Sequence, residues 1–317
     1  MTNFPVDLAI GDEGRLYLLL RADAGGEIRV WHWDDEDLGS IGSGGTGDGQ
    51  FTWPVAIVRD ADGNLMVTDE ALNRVSIFDE DGVFLSSWGE QGQGSGRLNR
   101  PTGLALDGDG DVYIADSLNH RMQKFTNDGC FLMAWGEQGG GDGEFDLPWG
   151  IAVDEQGDVY VADWRNDRVQ KFTPDGEYLM SFGPSRNGNG AGVLRRPSGV
   201  DVDSDGDVYV ADWGNNRVVQ FDANGRYVDR FIGDATLSKV GMRYIRGNLK
   251  ILRQREMTTL EPTKRLRKAP SVKVDDSGRM YIVDHGGHRI QIYQKEAYPL
   301  EPDEISEDPR SPSLDTQ

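Results

Sequence analysis

Cysteine is nearly absent. Cys130 stands alone in 317 residues, so the chain closes no disulfide on itself and forms no cysteine-rich zinc module. Histidine is scarce as well, at His32, His120, His285 and His288. Only the last two lie close in sequence, and zinc needs three or four ligands within tetrahedral reach. No apolar run approaches the roughly 20 residues of a membrane-spanning helix, so no membrane partner is expected. The opening MTNFPVDLAIGDEG lacks a basic stretch followed by an apolar core, which predicts no signal peptide and a cytoplasmic location. Positive charge is outnumbered, with 33 Lys and Arg against 54 Asp and Glu, for a net −21. Such a surface repels phosphate and argues against general nucleic-acid binding. No Gly-x-Ser-x-Gly elbow occurs. The glycine-rich links at 89–96 and 136–143 lack a Gly-Lys-Ser/Thr ending and lead into strands, so they are not phosphate cradles.

What the chain has in abundance is repetition. Pro5, Pro54, Pro101, Pro148 and Pro197 occupy one slot, and Gly14, Gly63, Gly110, Gly157 and Gly206 follow each of them nine positions later. A sixth copy is recovered from Gly278, Tyr281, Asp284 and Arg289, with Ala269 in the proline slot and Pro270 next to it. Within each copy, short runs of alternating apolar residues read as half-buried strands. Aspartate-glycine turns separate them, such as Asp107 to Gly110 between the first and second strands and Asp175-Gly176 between the third and fourth. Four antiparallel strands in a period of about 40 to 50 residues are the signature of a propeller blade. The expected fold is therefore all-β: one six-bladed β-propeller domain over residues 1–300, followed by a disordered acidic tail at 301–317. Blade one is degenerate, with Leu20 and Gly25 where the other copies carry Asp and Arg. The outer strand of blade six is expected from Gln294 to Leu300.

The segment LPWGIAVDEQGDVYVADWRNDRVQKF, Leu147 to Phe172, resembles the NHL repeat, and the resemblance extends over roughly Phe4 to Tyr293, excluding one insertion. It implies a propeller scaffold. It leaves function open, because NHL propellers include RNA-binding, protein-binding, sensor and catalytic modules. Catalytic relatives among the peptidyl-hydroxyglycine amidating lyases hold zinc with histidines directly after the proline slot. Here that slot reads Val6, Val55, Thr102, Trp149, Ser198 and Pro270, so no metal or other cofactor is expected. RNA-binding NHL propellers sit in larger proteins with cysteine-rich modules, which this chain lacks.

The recurrent pairs Asp116 with Arg121, Asp163 with Arg168 and Asp212 with Arg217 are predicted to tie a turn together in every blade through a charge-assisted bond. The acidic hairpins, such as Asp203-Asp205-Asp207, lack the distal acid of a calcium loop and read as turns. A functional site should break the repeat. Strand order places Trp53, Trp149, Trp164, Trp213, His285, His288 and Arg196 on one face, near the mouth of the central channel. The largest irregularity belongs to that face: the arginine slots Arg74, Arg121, Arg168, Arg217 and Arg289 are 47, 47, 49 and 72 residues apart. The extra residues fall within 234–268, where Leu237, Val240, Tyr244, Ile245, Leu249 and Leu252 suggest an amphipathic helix. From Lys239 to Lys268 this insertion carries ten Lys or Arg, Arg243 among them, against Glu256 and Glu261. The leading expectation is a noncatalytic scaffold that engages a protein or small ligand on this face, using the residues just named. The alternative is a lyase or hydrolase with its site at the channel mouth under the insertion, which predicts a pocket of a few hundred Å³ with a perturbed histidine or carboxylate. Oligomeric state is left open.

Overall fold

The computed structural model describes residues 4–34, 36–183, 190–235 and 261–295. Six antiparallel sheets follow one another along the chain, each with its strands in sequence order. Blade four shows how the sequence builds one. Its strands are Pro148–Val153, Val159–Asp163, Arg168–Phe172 and Tyr178–Phe182. The first turn closes because Asp154 Oδ1 accepts from the amides of Gln156 and Asp158, while Gly157 takes φ +85°. Lys171 then bridges Asp154 and Asp158 at 3.2 and 2.8 Å. The acidic hairpins therefore already hold a cation, an ammonium from the same protein.

Blades pack face to face, and a buried apolar cluster fills each of the six seams. Each loop entering blades two to six delivers one side chain into its seam: Phe51, Leu98, Phe145, Leu194 and Leu266, all buried. Phe145 meets Phe172 at 5.5 Å and Phe51 meets Phe78 at the same distance. Burying one such side chain contributes about 1.5–3 kcal/mol. Leu266 thus marks where the chain rejoins the repeat after the insertion. Of that insertion, the described part includes a short helix, Glu261–Lys264. The predicted amphipathic stretch Leu237 to Leu252, with Arg243, lies outside the described residues, as does the tail at 301–317.

Two expectations need correction. Gln294 does not begin an outer strand in blade six; it ends the third, Arg289–Gln294. Among the described residues that blade has three strands, and 296–300 lie outside them. The ring closes without a sheet shared between its ends. Leu8, Leu16, Leu18 and Leu20 of blade one pack against Tyr281 and Val283 of blade six. Ser271 Oγ donates to Asp7 Oδ1 at 2.5 Å across the same seam. Leu20 replaces the usual aspartate because its side chain belongs to this closing cluster. On its other side blade six is tied to blade five by Lys295, whose ammonium reaches Asp203, Asp205 and Asp207 at 2.7, 2.7 and 3.0 Å. Blade five has Gln220 where blades three and four carry Lys124 and Lys171, so the cation is supplied from the far end of the neighbouring blade.

The other correction concerns the Asp–Arg turn. In blades three to six the arginine Nε donates to the buried carboxylate at 2.7–3.0 Å. In blade two, Arg74 turns to the carbonyls of Gly47 and Gln50. Asp69 instead accepts from the amides of Thr52, Trp53, Ala71 and Leu72.

Candidate functional site

The residue before each proline slot, the residue after it, and the residue following the turn aspartate all crowd one end of the channel. In blade order the pre-proline ring reads Phe4, Trp53, Arg100, Leu147, Arg196 and Lys268. The turn ring reads Arg21, Glu70, Ser117, Trp164, Trp213 and His285. Arg100, Leu147, Arg196 and Lys268 each hold a left-handed backbone, with φ between +51° and +59°. Non-glycine residues rarely adopt it. The preceding blade holds them there: Asn73, Asp167 and Asn216 accept from the amides of Arg100, Arg196 and Lys268 at 2.7–2.8 Å. His120 Nδ1 accepts from Leu147 N at 3.3 Å in the same way. This device explains His120 as a cap and aims the pre-proline side chains back toward the preceding blade.

A pairing rule follows in five of the six seams, in which a pre-proline residue packs on the turn residue of the blade before it. Arg196 lies over Trp164 and Lys268 over Trp213, each at 4.9 Å from the ring centre. Trp53 receives Arg21 at 4.3 Å. Arg100 forms an ion pair with Glu70, and Phe4 stacks on His285 at 5.0 Å. Each pair is chemically matched, so the rim staples blade to blade while varying its chemistry around the circle. Burial pushes the Glu70 carboxyl up, against the pull of Arg100 and Arg21.

Inside the rim a pocket of about 340 Å³ opens into the channel. Trp149, Trp164 and Trp213 line the side formed by blades four and five, and Trp149 lies 6.1 Å from Trp164. Arg21, Lys268 and His285 line the side formed by blades one and six. His285 Nδ1 is 3.0 Å from the carbonyl of Pro5. A carbonyl can only accept, so the neutral ring carries its proton on Nδ1 and leaves Nε2 as an acceptor. Burial holds this imidazole below its ordinary pKa, with repulsion from Arg21, His288 and Lys268 acting in the same direction and the Pro5 bond against it.

The floor is polar. Inner strands are sheet edges whose amides face the bore, and carboxylates satisfy two of them: Ile57 N donates to Asp7 and Val274 N to Asp201. Lys273 stands between these acids. Burial works against its ammonium, but Asp7 and Asp201 raise its pKa above the usual lysine value. Burial also raises the pKa of Asp201.

Of the residues singled out from the sequence, Trp149, Trp164, Trp213 and His285 line this pocket. Arg196 and Trp53 belong to the surrounding rim pairs, His288 rests on Phe4 at 4.9 Å, and Arg243 is outside the described residues. Arg21, Lys268, Asp7, Asp201 and Lys273 were not singled out. The signal for the last three was available: the second slot after the proline position reads Asp7, Ala56, Gly103, Gly150, Gly199 and Ser271. The fourth slot reads Ala9, Val58, Ala105, Ala152, Asp201 and Lys273. Charge replaces small or apolar residues only in blades one, five and six. Among the described residues, no three His, Cys, Asp or Glu side chains group as metal ligands would.

Six radial sheets around a ligand-sized mouth make this a six-bladed β-propeller. The NHL repeat model matches residues 98–125, 145–172 and 194–221, each running from the buried link residue to the end of a third strand. Three successive blades of this propeller thus carry NHL repeats. No curated protein matches its sequence. Among solved structures, virginiamycin B lyase from Staphylococcus aureus is similar over 94% of this chain and 86% of that chain, with TM-score 0.59 and 12% identity. A protein of unknown function from Bacteroides thetaiotaomicron gives TM-score 0.64 at 17% identity, covering 92% of this chain and 70% of that one. Kuenenia stuttgartiensis hydrazine synthase gives 0.57 at 13%, covering 93% and 96%. A lyase, a synthase and an unassigned protein share the architecture, so the likeness carries the fold and no chemistry.

Proposed function

We propose that this protein is a noncatalytic NHL propeller that binds a small ligand in its channel mouth. The observation that supports this reading is the pocket of about 340 Å³ walled by Trp149, Trp164 and Trp213. It lies in the size range of small-molecule sites, and three indoles on one wall supply apolar area with few rotamers to freeze. A protein partner fits less well, because the rim side chains are already engaged with one another across the blade seams. The test is a thermal-shift and calorimetric screen of small aromatic compounds against the wild type and a Trp149→Ala/Trp164→Ala/Trp213→Ala variant. Compounds that bind the wild type should lose at least tenfold in affinity for the variant. Equal binding to both proteins would remove the mouth as the site.

One observation favours a second reading, an enzyme with its site in the same pocket. In its neutral form His285, with Nδ1 donating to the Pro5 carbonyl, presents Nε2 as a proton acceptor beside polar floor groups, which is what a general base requires. A catalytically inactive virginiamycin B lyase has been solved with quinupristin, so a propeller of this architecture accommodates a small molecule. Turnover of any bound compound that vanished in His285→Ala, with binding retained, would replace the binding-module reading by this one.

A further inference from the structure

Resting on the mouth-binding function proposed above, we infer that the ligand is a planar aromatic anion, its ring on the tryptophan wall and its carboxylate or similar oxyanion between Arg21 and Lys268. Six-fold arrangement sets opposite blades against each other, and the pocket is polarised along that axis. Blade one contributes Arg21 and faces blade four, which contributes Trp149 and Trp164. Lys268 and His285 belong to blade six, beside blade one, and the Lys268 ammonium reaches over Trp213 of blade five at 4.9 Å. A ligand with its ring on Trp149 and Trp164 thus meets positive charge from Arg21 across the mouth and from Lys268 beside the tryptophan wall.

The charges themselves are the second line of support. This protein is strongly acidic, and several of its buried or half-buried cations have carboxylate partners, as in Arg168 with Asp163 or Lys171 with Asp154. Arg21 and Lys268 have none within 4 Å among the described residues, and neither guanidinium nor ammonium donates a hydrogen bond there. Each rests on an indole instead, Arg21 on Trp53 and Lys268 on Trp213. A guanidinium stacked by its face keeps its in-plane N–H donors open, in the fork that matches a carboxylate. Burial disfavours the Arg21 charge, with Glu70 offsetting it in part, and an anion would relieve that cost. Glu70 cannot neutralise the mouth, since Arg100 already pairs with it. Lys273, deeper in the bore, is balanced by Asp7 and Asp201 and is not the anion's partner.

Calorimetry with 2-naphthoate, its uncharged amide 2-naphthamide, and cyclohexanecarboxylate tests the inference on the full chain. Naphthoate should bind at least tenfold more tightly than either of the others. Arg21→Met and Lys268→Met should each weaken naphthoate about tenfold, leave naphthamide unchanged, and reduce the loss of affinity on adding salt. Circular dichroism and urea midpoints confirm that both variants fold. If naphthamide binds as well as naphthoate and the Trp149/Trp164/Trp213 alanine variant loses both, the anionic class falls and the pocket remains. If naphthoate and naphthamide both fail to bind, or both bind the tryptophan variant unchanged, the mouth-binding reading falls with it.

Discussion

Two sets of residues less than a turn apart in sequence behave in opposite ways around this ring. The turn aspartates Asp116, Asp163, Asp212 and Asp284 are fully buried and do the same work in four blades, gathering an arginine and backbone amides. The next residue in each blade is Ser117, Trp164, Trp213 or His285, and the rim pairs range from cation on indole to an ion pair and a stacked ring. Identity at the first position is what a repeating frame needs, because the same orphan amides recur in every blade. Difference at the second is tolerated because the pre-proline partner in the following blade changes with it, as Arg196 does for Trp164 and Arg100 for Glu70. The repeating frame and the varied rim are thus separated by a single residue step.

The largest effect expected from breaking that separation comes from Asp163→Ala. Asp163 accepts from Asp146 N at 2.8 Å, Asn166 at 2.8 Å and Arg168 at 3.0 Å. Removing it strands a buried guanidinium, which should destabilise the fold by about 3–5 kcal/mol in urea unfolding. Trp164→Ala, one position on, loses a half-exposed ring and a cation–π contact and should cost about 1 kcal/mol. Equal losses for the two variants would mean that rim and frame are not distinct. Leu266→Ala extends the comparison to the insertion. If that side chain docks the irregular segment into the regular seam with Met280 and Ile282, the cavity should cost about 2–5 kcal/mol.

The frame was legible in the sequence because its parts repeat. Proline, aspartate and glycine slots five or six times over predicted strands, turns and blade number, since each residue type answers a local backbone demand that recurs. The rim tryptophans were legible as departures from that pattern. Arg21 and Lys268 were not, because their meaning depends on which blade lies beside and which lies opposite. The same is true of the pairing rule, which joins residues about one repeat apart, and of closure, where Ser271 meets Asp7 from the other end of the chain. Lys295 was hidden for a different reason: Gln220 looks like a harmless substitution until its missing charge is seen to come from blade six.

That substitution gives a smaller test of the frame. Lys295→Met leaves Asp203, Asp205 and Asp207 facing one another without their ammonium. The site is partly exposed, so solvent screening limits the loss to about 1 kcal/mol. The loss should shrink in high salt and shrink again when Asp205→Asn is added. A loss unaffected by either would point to packing of the lysine stem in place of charge. Lys124→Met in blade three, where the cation comes from its own sheet, provides the internal control.

The smallest expected effect concerns the rim and acidity. His285 is held below the ordinary histidine pKa of about 6.5, so the unfolded chain takes up a proton at this position before the folded one does. Stability from this group is therefore complete above about pH 6.5 and declines as pH falls toward the folded value. His285→Asn removes that titration while keeping a polar group beside the Pro5 carbonyl. Between pH 7.5 and 5.5 the urea midpoint of the wild type should drop further than that of the variant, and titrating carboxylates elsewhere cancel in the difference. A larger drop in the variant would mean that the folded imidazole is the protonated one, adding a cation to the mouth beside Arg21 and Lys268 and taking away the acceptor at Nε2 on which the enzyme reading depends.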